Sequence, residues 1–170
     1  MSESELLAYI AGVLDSDGHI TIKRMHPNGE HKSYLFAETV SLGQTSPIVV
    51  DLCWKRWGGR RIVRDRNGRG KHSKNLSVMY EWCVSDRKAC AAISAVVPFL
   101  RIKTDQANIL LKLREHKNLG YKETRNKKSD KNGGRSRLLS DETVQYRTSL
   151  YEQIRALHDN SGKNKQTRMA

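Results

Sequence analysis

"LLAYIAGVLDSDGHITI", residues 6–22, decides the fold. It opens with aliphatic and small residues at helical spacing, meets Asp15 and Asp17, turns at Gly18 and goes on as an alternating stretch. Ser2-x-x-Glu5 is a capping box, so the spacing predicts a helix over about 3–14, stopped by Gly18. In "HITIKRMH", Ile20 and Ile22 fall on one face and His19, Thr21, Lys23 and Met25 on the other, as in a half-buried strand. The two acids need a reason, because a helix C-terminus repels carboxylates unless a cation is near. A divalent metal suits, since hard cations take carboxylate and carbonyl oxygens. Ala8, Ala11 and Gly12 form a stripe that Asp15 continues, small enough for another backbone to approach closely.

Downstream, "PNGE" signals a hairpin turn, with a second strand over 33–42 whose alternation is imperfect. Ser46-Pro47 opens a helix through Ile48, Val49, Leu52 and Cys53 that ends at Gly58-Gly59. Two more strands follow in "RRIVRDR" (60–66) and "SVMYEWCV" (77–84), joined by the basic loop "NGRGKHSKN". "DRKACAAISAVVPFL" reads as a short helix broken at Pro98, and "TDQANILLKLREHKNLG" as a longer one closed by Gly120. Ser140-Asp141-Glu142 caps a last helix carrying Val144, Tyr151, Ile154 and Leu157. The expected organisation is a core over 1–118, a basic flexible loop over 119–138, a C-terminal helix over 139–160 and a basic tail over 161–170. This order predicts an α+β fold, αββαββα, with one four-stranded antiparallel sheet, helices on a single face and extra C-terminal helices.

The 170 residues carry 31 Lys and Arg against 18 Asp and Glu, a formal charge of +13 spread through most polar stretches. A polyanion is the expected partner, and nucleic acid is favoured over membrane because the apolar runs are amphipathic or short. No signal peptide is read at the start. Cys53, Cys83 and Cys90 show no CxxC spacing, so they read as reduced core thiols of an intracellular, reducing compartment. The histidines show no HxH or HExxH spacing, which disfavours a histidine-centred nuclease.

One sheet face is left without protein cover. The core side is expected to hold Ile20, Ile22, Ile62, Tyr80, Trp82 and Val84, and the outer side Thr21, Lys23, Arg64, Arg66 and Glu81. A solvated face is the plain reading of any one charged strand. Positive charge recurring on separate strands instead suits a ribbon in the DNA major groove, where side chains reach base edges. On that reading His19, Thr21, Lys23, Met25, Arg64, Arg66, Met79 and Glu81 face DNA, with Lys71 and Lys74 on phosphates. A strand of about eight residues spans roughly 26 Å, or some eight base pairs.

"YIAGVLDSDGHI" (9–20) resembles the LAGLIDADG motif of homing endonucleases and related maturases. "VRDR" (63–66) and "PFLRIKTDQAN" (98–108) are similar to single-motif members encoded in group I introns, and the blocks together span about 6–113. The resemblance implies a homodimer whose two motif helices pack at the centre of a saddle-shaped sheet, with Ala8, Ala11, Gly12 and Asp15 at the interface. It implies that Asp17 is the metal-binding acid, with the Ser16 carbonyl as a second contact where Gly or Ala is usual, and that Asp15 caps or braces the partner helix rather than binds metal. Lys103 matches the basic residue near the scissile phosphate, and Gln44 the glutamine that positions solvent. The arginine some relatives carry after that glutamine is replaced by Pro47, Ile48 and Val49, leaving its role vacant or to Lys55, Arg56 or a residue elsewhere. The implied activity is Mg²⁺-dependent cleavage of both strands of a long near-palindromic duplex, with Mn²⁺ as substitute and Ca²⁺ binding without cleavage. No small-molecule substrate or membrane partner is implied. The alternative is a non-cleaving binder on the same fold, an RNA splicing maturase or a transcriptional regulator.

Overall fold

The computed structural model describes residues 1–26, 34–65, 78–125 and 139–166, the stretches from 120 and from 160 as backbone only. The elements in order are α1 (Glu3–Asp17), β1 (Gly18–Met25), β2 (Leu35–Gln44), α2 (Pro47–Trp57), β3 (Arg60–Arg64) and β4 (Met79–Ser85). After them come α3 (Asp86–Val96), a 3₁₀ turn (Val97–Phe99), α4 (Thr104–Arg125) and α5 (Asp141–Gln166). The fold is α+β, with the αββαββα order followed by two further helices around one antiparallel sheet in the strand order β1-β2-β4-β3.

The starts of these elements are written locally. Ser2 and Glu5 close a reciprocal capping box on α1, and the Ser46 hydroxyl caps α2 with Pro47 in its first turn. α1 runs three residues beyond the expected end, so both acids lie in its last turn. β2 ends at Gln44 rather than at 42, because its last residues pair with β4, Gly43 opposite Glu81 and Gln44 opposite Tyr80. Its uneven alternation has a physical cause in Glu38, fully buried on the helix side opposite Ile22. Arg114 and Lys117 of α4 each reach its carboxylate at 2.8 Å, and Lys117 also binds Asp86 at 3.2 Å. Such a charge is tolerated inside only with partners of this kind.

The register fixes the two faces. Gly18, Ile20 and Ile22 of β1, Leu42 and Val40 of β2, and Trp82 and Val84 of β4 turn to the helices and are buried. Ile20, Val40, Leu42, Trp82 and Val84 form the main core with α1, α2 and α3, while Ile22 and Phe36 join Ile109, Leu113, Leu150 and Ile154 in a second cluster under α5. Ile62, expected on the core side, lies instead opposite Glu81 on the outer face, while Arg61 and Val63 take the helix side. A five-residue edge strand follows its pairing parity, and parity overrides the hydropathy of one isoleucine. α4 continues through Gly120 to Arg125, and α5 runs to Gln166 rather than 160.

Candidate cleavage centre and nucleic-acid interface

The tip of α1 is where the candidate groups converge. Asp15 is buried, and its two carboxylate oxygens accept the backbone N–H groups of Arg101 at 2.7 Å and Lys103 at 2.9 Å. It therefore pins the loop between the 3₁₀ turn and α4. The Lys103 ammonium lies across the helix end, donating to the Leu14 carbonyl and the Gly18 carbonyl, both at 2.7 Å. α1 has no basic residue in its own last turn. Lys103 thus supplies the cation that a carboxylate at a helix C-terminus requires. Asp17 points the other way, exposed, and its Oδ2 accepts from the Gln44 side-chain amide at 2.5 Å. Asp17, Gln44 and Lys103, proposed from three separate blocks of sequence, are brought to one place.

The exposed stripe of α1 differs from the expected one. Ala8 and Gly12 are exposed, in line with Ser16, whereas Ala11 and Asp15 face the chain's own core. Only Ala8 and Gly12 of the four interface candidates are therefore available to another molecule. The inward turn of Ala11 and Asp15 follows from helical geometry, four residues marking one face. A Cβ on Gly12 would meet nothing within 4 Å, so no contact inside this chain requires a glycine there.

On the outer sheet face, His19, Ser41, Cys83 and Arg60 form one cross-strand row, and Gly43, Glu81 and Ile62 another. Lys23 and Met25 are exposed, Thr21 and Met79 half-buried. Arg64 pairs with Glu81 at 2.8 Å, so two candidate base-reading groups orient one another. Arg60 shares the face, a residue the sequence reading missed although it lies at the same period-two spacing as Arg64. Arg66, Lys71 and Lys74 lie outside the described residues.

Of the α2 candidates for the arginine role after Gln44, Lys55 is exposed. Ile48 is exposed, and Arg56 is paired with Glu3. His19 borders the centre: its imidazole is held below the ordinary histidine range by burial first, then by His158, Lys103 and Lys23. It is therefore neutral near pH 7. His158, on α5, was not foreseen; only packing of a helix about 138 residues away in sequence puts it there.

A divalent cation fits the exposed Asp17 carboxylate chemically, as a hard oxygen donor beside a neutral amide. Among the described residues no group of three or more His, Cys, Asp or Glu is gathered to hold a metal. Among the described residues the tip of α1 thus offers Asp17 as its one outward acid.

Fold and site together define an αββαββα protein whose motif helix ends in an acidic tip at the sheet, with no described helix on the opposite sheet face. No family model matches the chain. It is 32% identical over 112 residues to the DNA endonuclease I-CreI of Chlamydomonas reinhardtii, covering 65% of this chain and 63% of that protein, which is less than two thirds of the relative's length. The homing endonuclease I-CvuI, crystallised in complex with its target in the presence of 2 mM Ca, superposes with a TM-score of 0.63 at 17% identity over 91% of this chain and 83% of that one. The same protein with the I-CreI target and 2 mM Mg, its DNA not cleaved, gives a TM-score of 0.54 at 19% identity over 87% and 96%. With the motif on α1, these likenesses show that the chain has the fold of the LAGLIDADG homing endonucleases and is similar to them in sequence over 112 residues.

Proposed function

We propose that the chain is a sequence-specific homing endonuclease that, as a homodimer, hydrolyses one phosphodiester in each strand of a long near-palindromic duplex with Mg²⁺. The observation that carries this reading is the exposed Asp17 carboxylate, tied to Gln44 at the tip of the motif helix whose end Lys103 caps. A protein that only bound nucleic acid would gain nothing from an acid facing phosphate, which it repels. The relative I-CreI is a DNA endonuclease, and I-CvuI is seen on DNA with Ca or Mg, both of which support the assignment.

Asp17 and the Ser16 carbonyl are the groups that would hold the metal. When bound, the metal acidifies water and offsets charge on the incoming and leaving oxygens of an in-line displacement. Gln44 fixes the Asp17 rotamer through its N–H, and its amide oxygen is the acceptor that orients solvent. Lys103 keeps a positive charge at the helix end, where a phosphate approaches. Asp15 holds Lys103 in place through the backbone of the loop. The outer face, through Lys23, Arg60 and Arg64, supplies the cations that lie along DNA. Three free thiols, two of them buried, suit a reducing, intracellular compartment.

The test is cleavage of a plasmid library carrying random inserts, in Mg²⁺ and in Mn²⁺, by the native chain and by Asp17→Asn. The native chain is expected to linearise a subset of plasmids, and Asp17→Asn to bind the same inserts and leave them intact. Tight site-specific binding by the native chain without cutting in either metal assigns the protein instead to the non-cleaving binders, splicing maturases or transcriptional regulators.

A further inference from the structure

β1 is an edge strand, yet its free edge is covered. α5 lies along it: His158 Nε2 donates to the Ile20 carbonyl at 3.1 Å, which satisfies an edge acceptor and blocks strand pairing from that side. The His19 and His158 rings sit 4.6 Å apart, and Arg24 reaches Glu152 at 3.7 Å while lying over the Tyr151 ring. Leu150 and Ile154 bury against Ile22 beneath. The helix is therefore fixed to the strand by polar contacts at its rim and apolar ones below. Between them runs a groove of about 510 Å³, lined by His19, Lys23 and Met25 from β1 and by Tyr151, Arg155 and His158 from α5.

We propose that this groove seats a backbone phosphate of duplex DNA between Lys23 and Arg155, carrying the nucleic-acid surface around the sheet edge onto α5. The proposal rests on the DNA reading above. Its strand wall includes His19, Thr21, Lys23 and Met25 of the outer face beside Ile22 and Arg24 of the helix side, so the groove borders the open sheet surface. Arg155 is exposed and, among the described residues, makes no ion pair; its guanidinium lies 5.8 Å from the Tyr151 ring centre, a packing that leaves its donors to solvent. Arg24 is neutralised by Glu152, which leaves Lys23 and Arg155 against Asp159 alone, a net positive groove. Phosphate oxygens suit a forked guanidinium opposite an ammonium.

Phosphate contacts are read without knowing the target, because each releases counterions and steepens the salt dependence of binding by about 0.9 in log–log slope. The experiment is fluorescence anisotropy of a mixed-sequence duplex of about 30 base pairs, in EDTA, over a series of salt concentrations. Arg155→Gln and Lys23→Gln are each expected to weaken binding several-fold and lower the slope by about 0.9 per bound chain. Arg155→Lys keeps the slope, and Lys112→Gln, on the exposed side of α4, leaves affinity and slope unchanged. If Arg155→Gln loosens α5 by circular dichroism, Lys23→Gln on the strand decides. Native binding with slopes unmoved by either glutamine variant, or a fall as large in Lys112→Gln, overturns the proposal alone. No duplex binding by the native chain overturns the DNA reading and the proposal with it.

Discussion

Asp15 and Asp17 lie two residues apart in the last turn of α1, which sets their side chains about 200° apart around the axis. One turns inward to two backbone N–H donors, and the other outward to Gln44. Asp15→Ala leaves both N–H groups without their acceptor, so urea unfolding is expected to show a loss of roughly 2–4 kcal/mol. Asp17→Asn should stay within about 0.5 kcal/mol of the native chain, as exposed substitutions do. The outward acid was legible in the sequence because the motif marks it. The inward one was expected to brace a partner helix, whereas it accepts from two N–H groups of its own chain, 86 and 88 residues downstream and beyond local pattern. Cys53 gives a second check at this scale. Burial pushes its thiol up to about 12, so the thiolate that alkylating reagents attack is scarce at neutral pH. Iodoacetamide followed by mass spectrometry should leave Cys53 unmodified in the native chain and modify it in urea; rapid native labelling would show that α2 does not pack as described.

At the scale of elements, the turn from α2 into β3 tolerates no side chain without strain. Gly58 and Gly59 have φ of +67° and +91°, and a Cβ on Gly59 would stand 2.6 Å from the Cys83 carbonyl oxygen on β4. Gly59→Ala combines a left-handed backbone with that clash, and a loss of about 2–3 kcal/mol is expected in urea unfolding; an unchanged midpoint would contradict the β3–β4 register. The α2 boundaries were legible because Ser46, Pro47 and Gly58-Gly59 are local signals. The placement of Ile62 was not, since strand parity is settled by Glu81 across the ladder, and neither was the continuation of α4 past Gly120. β2 shows the same limit. Its inward Glu38 breaks the alternation, and only the cations of α4 make that position tenable.

At the scale of the whole molecule, α1 presents Ala8 and Gly12 to the outside while Ala11 and Asp15 fill the inside. Gly12 has open space around it, so within one chain alanine is expected to stabilise the helix by roughly 0.5–1 kcal/mol. Gly12→Leu, by contrast, should weaken association of two chains if motif helices meet there, and sedimentation against concentration separates the two effects. The formal charge of +13 told of a polyanion without telling which surface meets it; the register places Lys23, Arg60 and Arg64 on the open side of the sheet. In the proposed reading each chain contributes the Asp17 carboxylate at its α1 tip, so a cutting unit needs two chains on one duplex. Its most direct test is the light-scattering mass of the complex with a cleavable site, held uncut in Ca²⁺. The predicted protein mass is twice the 19.4 kDa of the chain. One chain per duplex, in a complex that cuts both strands once Mg²⁺ replaces Ca²⁺, would contradict the account.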